Sequence, residues 1–214
     1  MENKNCSRRK FINTIGLSAF AAGTLALPTW SYAHEAMPEE RNINYIGPMK
    51  GYTPQIGTLI SMLEWISDTV IRSTSKLSIE ELDYLHDKNS NSIGALMMHV
   101  AATEVIYQDL TFNNLTDFSA ENKAKWGVAM DLGPEAQTVL KGNPAKYYID
   151  AMNEARSASL AAFKKRDDEW LLSGAKSERG MNNYCKWFHV TEHFANHRGQ
   201  ITWYKKRLPG KEKE

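Results

Sequence analysis

The chain has 214 residues, 42% of them hydrophobic and 24% charged, with a formal net charge of +1. That composition suits one soluble domain with a short extension and offers no basic field that nucleic acid would require. The charge is unevenly placed. Residues 1–33 hold Lys4, Arg8, Arg9 and Lys10 against Glu2, a local +3, which leaves −2 for the remainder.

Residues 1–33 read as an export signal. SRRKFI (7–12) leads into the Ala/Gly-rich run NTIGLSAFAAGTLALPTW and then SYA (31–33), with small residues at 31 and 33 for a peptidase. The paired arginines followed by Lys and Phe resemble a twin-arginine signal, which is read by a receptor and is not an anchor. The expectation is a periplasmic or otherwise exported protein with no stable membrane insertion after cleavage. Pro28 and the weak apolar run argue against a retained span. Cys6 would leave with the signal. Cys185 then stands alone, so no internal disulfide is expected, and a buried position suits it.

Residues 34–53 form a polar lead-in with Pro38, Gly47, Pro48 and Gly51. A first helix is expected over 54–74, where Ile56, Leu59, Ile60, Leu63, Ile66, Val70 and Ile71 recur at helical spacing. Ser78 and Glu81 are spaced as a capping box in the link that follows. Ser92 is placed to cap a second helix carrying Ile93, Leu96, Met97, Val100, Ala101 and Val105, which fades by 112–114. Residues 113–144 read as irregular or as short helices. A third helix should open with Asn143 as cap and Pro144 at its first position, and run on to Gly174. A fourth covers about 181–207, ahead of a charged tail, 208–214.

Four long amphipathic helices must bury their stripes against one another, so the fold class is all-α, a four-helix bundle. The links between helices one and two, and three and four, are short enough for antiparallel neighbours. The long crossover between helices two and three favours an up-down-down-up path.

The histidines carry the chemistry. In HVTEHFANHRGQITWY (189–204), His193 and His197 lie one turn apart on one face, with His189 a turn earlier and Gln200 and Tyr204 on the same stripe. His99 is the one histidine in the second helix. Three imidazoles from two packed helices can supply three ligands to one divalent ion and leave a position open, as catalytic sites do. Outward-facing ring nitrogens need acceptors, and Glu104, Glu192 and Asp150 are available by composition. Gly199 in mid-helix suggests close approach by another helix or a ligand. Gln200 is placed to donate to a bound water, Arg198 to meet an anion, and Tyr204 to form a pocket wall.

HVTEHFANHRGQITW and SIGALMMHVAATE resemble the last-helix and second-helix signatures of the DinB/YfiT-like superfamily of metal-dependent four-helix-bundle proteins. The resemblance spans roughly residues 54–207, and its histidine positions fall on His99, His193 and His197. It implies a divalent cation, whether zinc, nickel, iron or manganese, and a thiol-dependent transferase or isomerase, or a hydrolase using bound water. The alternative is a non-catalytic metal-binding or stress-related bundle protein, and last a helical interaction protein holding no metal. A small-molecule or thiol substrate is the expected partner, nucleic acid is not, and a homodimer is compatible with the bundle's size.

Overall fold

The computed structural model describes residues 42–174 and 180–210. The twin-arginine-like segment, Cys6 and the start of the lead-in lie outside the described residues. What is described is all-α, with eight helices.

Helix α1 spans Pro54–Thr74, as its apolar spacing predicts. Its N-terminus is closed from a distance. The Asp168 carboxylate accepts from the Thr53 hydroxyl at 2.5 Å and from the Gln55 and Ile56 amides at 3.1–3.2 Å. Those amides have no partner within the helix, and a carboxylate at that end also suits the helix dipole. Helix α2 is the short turn Ile79–Asp83, opened by the Ser78/Glu81 capping box.

Helix α3, Ile93–Thr111, begins where the Ser92 hydroxyl accepts from the Ala95 amide at 3.1 Å. Every residue from Ile93 to Val105 is buried. A helix buried on all faces needs neighbours all round, and α3 packs on α2, on α4 (Ala120–Asp131), on α6 (Ala145–Phe163) and on α8 (Asn183–Lys205). The main partners of α1 are α8, α6 and α7 (Asp168–Leu172). The first and second long helices are therefore not each other's main partners, although their link is short. The all-round burial of α3 draws it to α6 and α8 instead.

The region 113–144 is more ordered than its punctuation suggests. Asp109, buried at the end of α3, accepts from the Ser119 amide and from the Asn113 and Asn122 side chains, all at 2.8 Å. This clamp turns the chain into α4, which Ser119 caps. Leu132 at φ 56° and Gly133 at φ 72° reverse it into α5, Gly133–Val139.

Two expected boundaries shift. The third long helix is capped by Pro144 itself, in extended backbone, and begins at Ala145, while Asn143 donates to the Lys141 carbonyl. It does not run to Gly174. It ends at Phe163, and Asp167 accepts from the Trp170 amide to start α7. Breaking there frees Asp168 to close α1. The core is anchored by Trp187, Tyr148, Phe163 and Phe194, all fully buried. Between α3 and α6, Arg156 and Glu104 form a buried two-bond ion pair at 2.8 Å for each contact.

Candidate metal centre

Helices α3 and α8 bring His99, His193 and His197 to one point. The Nε2 atom of His193 lies 2.9 Å from Nε2 of His99 and 3.0 Å from Nε2 of His197. His99 and His197 are each 7% exposed and His193 is half-buried. The i,i+4 spacing on α8 supplies one pair, and the packing of α3 on α8 supplies the third ring.

Two of the rings are held from behind. Nδ1 of His99 donates to the Ala129 carbonyl on α4 at 2.9 Å, and Nδ1 of His197 donates to Oε1 of Gln200 at 2.9 Å. Each bond leaves its ring with an unprotonated Nε2 facing the other histidines. A neutral His193 has one proton to offer, and one proton cannot satisfy both neighbouring lone pairs. A cation can. Two nitrogens bound to one ion at about 2.0–2.1 Å subtend roughly a right angle when about 3 Å apart, so the observed separations match a shared ion. These three residues are also the His/Cys/Asp/Glu group, among the described residues, able to hold a metal ion.

The electrostatics agree with this. Burial, then repulsion from His197, His99 and His189, pushes His193 down to about 3. Burial also lowers His99 and His197 from the ordinary imidazole value, against the opposing pull of their Ala129 and Gln200 bonds. Neutral imidazoles with free lone pairs are the ligand form.

Other sequence expectations fare differently. The acceptors behind the rings are a backbone carbonyl and an amide, not carboxylates. Glu104 is committed to Arg156, Asp150 to Lys146 at the surface, and Glu192 to His189 at 3.2 Å. His189 is exposed and stands outside the three-histidine group, its ring centroid 5.5 Å from that of His193. Gln200 serves as an acceptor for His197 through its oxygen, where a donor to bound water was expected. Arg198 places its guanidinium 5.5 Å from the centre of the Trp65 ring.

A β-carbon built on Gly199 meets nothing within 4 Å, so no helix among the described residues approaches it. The close approach is at Gly94, where a β-carbon would fall 2.6 Å from the Tyr148 ring. Tyr204 does line a groove of about 520 Å³ beside the centre, together with Gln200, Asn196 and Trp203. Cys185 is exposed, contrary to the buried position expected for it.

The residue that sequence reasoning missed is Ala129. Its carbonyl sits on a helix that composition hides, and only the Trp126/Ala129 burial pattern could have signalled that α4 lies against α3.

The Mycothiol-S-transferase (MST) family profile matches residues 58–209, a span that includes all three histidines, Ala129 and Gln200. Comparison with curated proteins returns no match. The chain thus belongs to the Mycothiol-S-transferase family and carries a DinB/YfiT-like fold.

Proposed function

We propose that this chain is a divalent-metal-dependent enzyme that uses a low-molecular-weight thiol as cosubstrate and transfers it to, or isomerises, a small electrophilic substrate. The observation that carries the reading is the convergence of three neutral Nε2 atoms, two of them held in the required tautomer by Ala129 and Gln200. The family match points the chemistry toward thiols. A divalent ion bound there supplies Lewis acidity and favours the deprotonated form of a thiol. The chain's own contribution is to hold the three rings, fix their proton positions, and keep His99 and His197 shielded from water. Three protein nitrogens leave coordination free for a reactant, which is the arrangement of catalytic sites.

Export by the twin-arginine route to the periplasm belongs to the same proposal, on the sequence order of residues 1–33. Signals of this kind are associated with proteins that fold, often around a cofactor, before crossing the membrane, and a metal loaded first would fit that order. We also infer a four-helix bundle of α1, α3, α6 and α8 running up-down-down-up. Gly94 meets Tyr148 while Gln108 meets Ala155 and Ser159, so contacts on α3 and α6 advance together. His99 meets His193 while Thr111 meets Trp187, so those on α3 and α8 advance in opposite senses. Trp65 meets Arg198 and Ser73 meets Lys205, so α1 and α8 advance together.

The test begins with elemental analysis of protein purified without chelator or nickel resin, beside a His193→Ala/His197→Ala double variant. One equivalent of one metal, lost in the double variant, is expected. Thiol-dependent consumption of an activated alkyl halide by the loaded protein, absent from the double variant, should accompany it. Metal without turnover across a panel of thiols would leave a non-catalytic metal-binding protein. No metal, with unchanged thermal stability on adding zinc, nickel, manganese or iron(II), would overturn the reading.

A further inference from the structure

At the far end of α3 from the histidine cluster, a cavity of about 510 Å³ opens between α3, α7 and α8. Its polar lining is Thr111, Asn114, Arg166, Ser173, Asn183 and Lys186, with Leu110 and Trp170 as its apolar wall. Among the described lining residues two are cations and none is a carboxylate. Some basic side chains elsewhere meet acids, such as Arg72 with Asp68, Lys125 with Glu154, Lys146 with Asp150 and Arg156 with Glu104. Neither Arg166 nor Lys186 has such a partner among the described residues.

Arg166 is held in place. One terminal nitrogen donates to the Phe112 carbonyl at 3.3 Å, and the guanidinium carbon lies 5.6 Å from the Trp170 ring centre and 6.0 Å from that of Phe112. Its Nε is buried and has no acceptor. Thr111, Ser173 and Asn183 have their hydrogens engaged within the chain, on the Tyr107 carbonyl, the Trp170 carbonyl, and the Trp170 carbonyl with the Ser173 hydroxyl. Among the described lining residues, the side-chain donors left to face an occupant are therefore those of Arg166, Lys186 and Asn114, and two of the three are charged.

We propose that this cavity binds a tetrahedral oxyanion, carried by a phosphate-bearing small molecule. A held guanidinium and an ammonium lining the same cavity present several charged donors to a group with several acceptor oxygens. None of the described lining residues is an acid, so none of them adds a repulsion that would oppose it. The cavity is within the size range of small-molecule sites, about 300–1,000 Å³, and far exceeds a bare ion. Leu110 and Trp170 leave room for an organic remainder. Thr111 lies twelve residues beyond His99 on α3, about 18 Å along the helix axis. The site is therefore separate from the metal centre.

The test is calorimetric titration of the metal-loaded protein with inorganic phosphate in an oxyanion-free buffer. Saturable one-to-one binding is expected. It should weaken by at least about tenfold in Lys186→Gln, which removes one charged donor from a surface-facing turn of α8. Arg166→Gln should weaken it as well, and His193→Ala should leave it unchanged. Sulfate should compete with phosphate and acetate should not. The proposal is overturned if phosphate fails to saturate, if Lys186→Gln binds as the native chain does, or if His193→Ala abolishes binding and so places the ion at the metal. Equal competition by acetate would overturn the tetrahedral assignment.

Discussion

Replacing Gln200 with Ala isolates one atom's effect on the metal centre. Gln200 is exposed, and its Oε1 accepts from His197 Nδ1 at 2.9 Å. The substitution removes that acceptor and leaves all three imidazoles in place. Partners of this kind contribute about 10–100-fold to metal affinity, or about 1.4–2.8 kcal/mol. Water can reach His197 once the exposed side chain is shortened, so about tenfold is expected, at the lower end of the range. Gln200→Glu keeps an acceptor oxygen and adds negative charge behind the ring, so it should hold metal at least as well as the native protein. Competition against a chromophoric chelator at neutral pH measures both. Urea unfolding of the metal-free forms should differ by no more than about 0.5 kcal/mol, as for an exposed side chain. If Gln200→Ala binds metal as tightly as the native chain, or if Gln200→Glu loosens it equally, the acceptor does not align His197 and the reasoning fails.

Metal-free protein should lose stability as pH falls from about 6.5, the ordinary imidazole value, toward about 3, the value to which burial and the neighbouring imidazoles push His193. Within that window the unfolded chain binds more protons than the folded one, and stability is fully present above it. Thermal melts of the native chain and of His99→Ala/His193→Ala/His197→Ala should diverge in slope there, and parallel curves would contradict the shift. Glu104→Ala strands the buried Arg156 charge and should destabilise by about 3–5 kcal/mol in urea unfolding; a loss under about 1 kcal/mol would mean that the pair is not desolvated as its burial implies. Gly94→Ala must displace the Tyr148 ring and should destabilise by about 1–3 kcal/mol. Gly199→Ala meets open space and should stabilise by up to about 1 kcal/mol. The same sign for both would refute the glycine assignments.

Much of the fold was legible because it was locally written. The periodic apolar residues of α1, the Ser78/Glu81 box and Ser92 act within one helical turn, so their consequences can be read from neighbouring letters. The misreadings share the opposite property. The third long helix was expected to continue because residues 164–172 contain no glycine or proline, yet it stops where Asp168 is drawn to amides 113 residues away. The order of helix packing likewise depends on how much of α3 is buried. A sequence wheel underestimates that when alanines and polar residues such as Thr103 and Glu104 also lie inside.

The metal centre divides along the same line. An i,i+4 pair is a local statement, so His193 and His197 could be placed on one face from spacing alone; His99 joined them by its place in the second helix, and the family resemblance supported all three. What fixes the proton positions was read for neither ring. Gln200 is three residues from His197 and its place on the histidine face was visible, but it was read as a donor to bound water and not as the acceptor behind His197. For His99 the acceptor is a carbonyl, which every residue carries and no side chain marks, thirty residues away on α4. The site therefore depends on the crossover as much as on the two helices that bear its ligands. A substitution that displaces α4, such as one at the buried Trp126, would release His99 to rotate without touching a histidine. The signature histidines are necessary for the centre, the packing of α3 on α8 brings them together, and the placement of α4 against α3 fixes how His99 faces the other two.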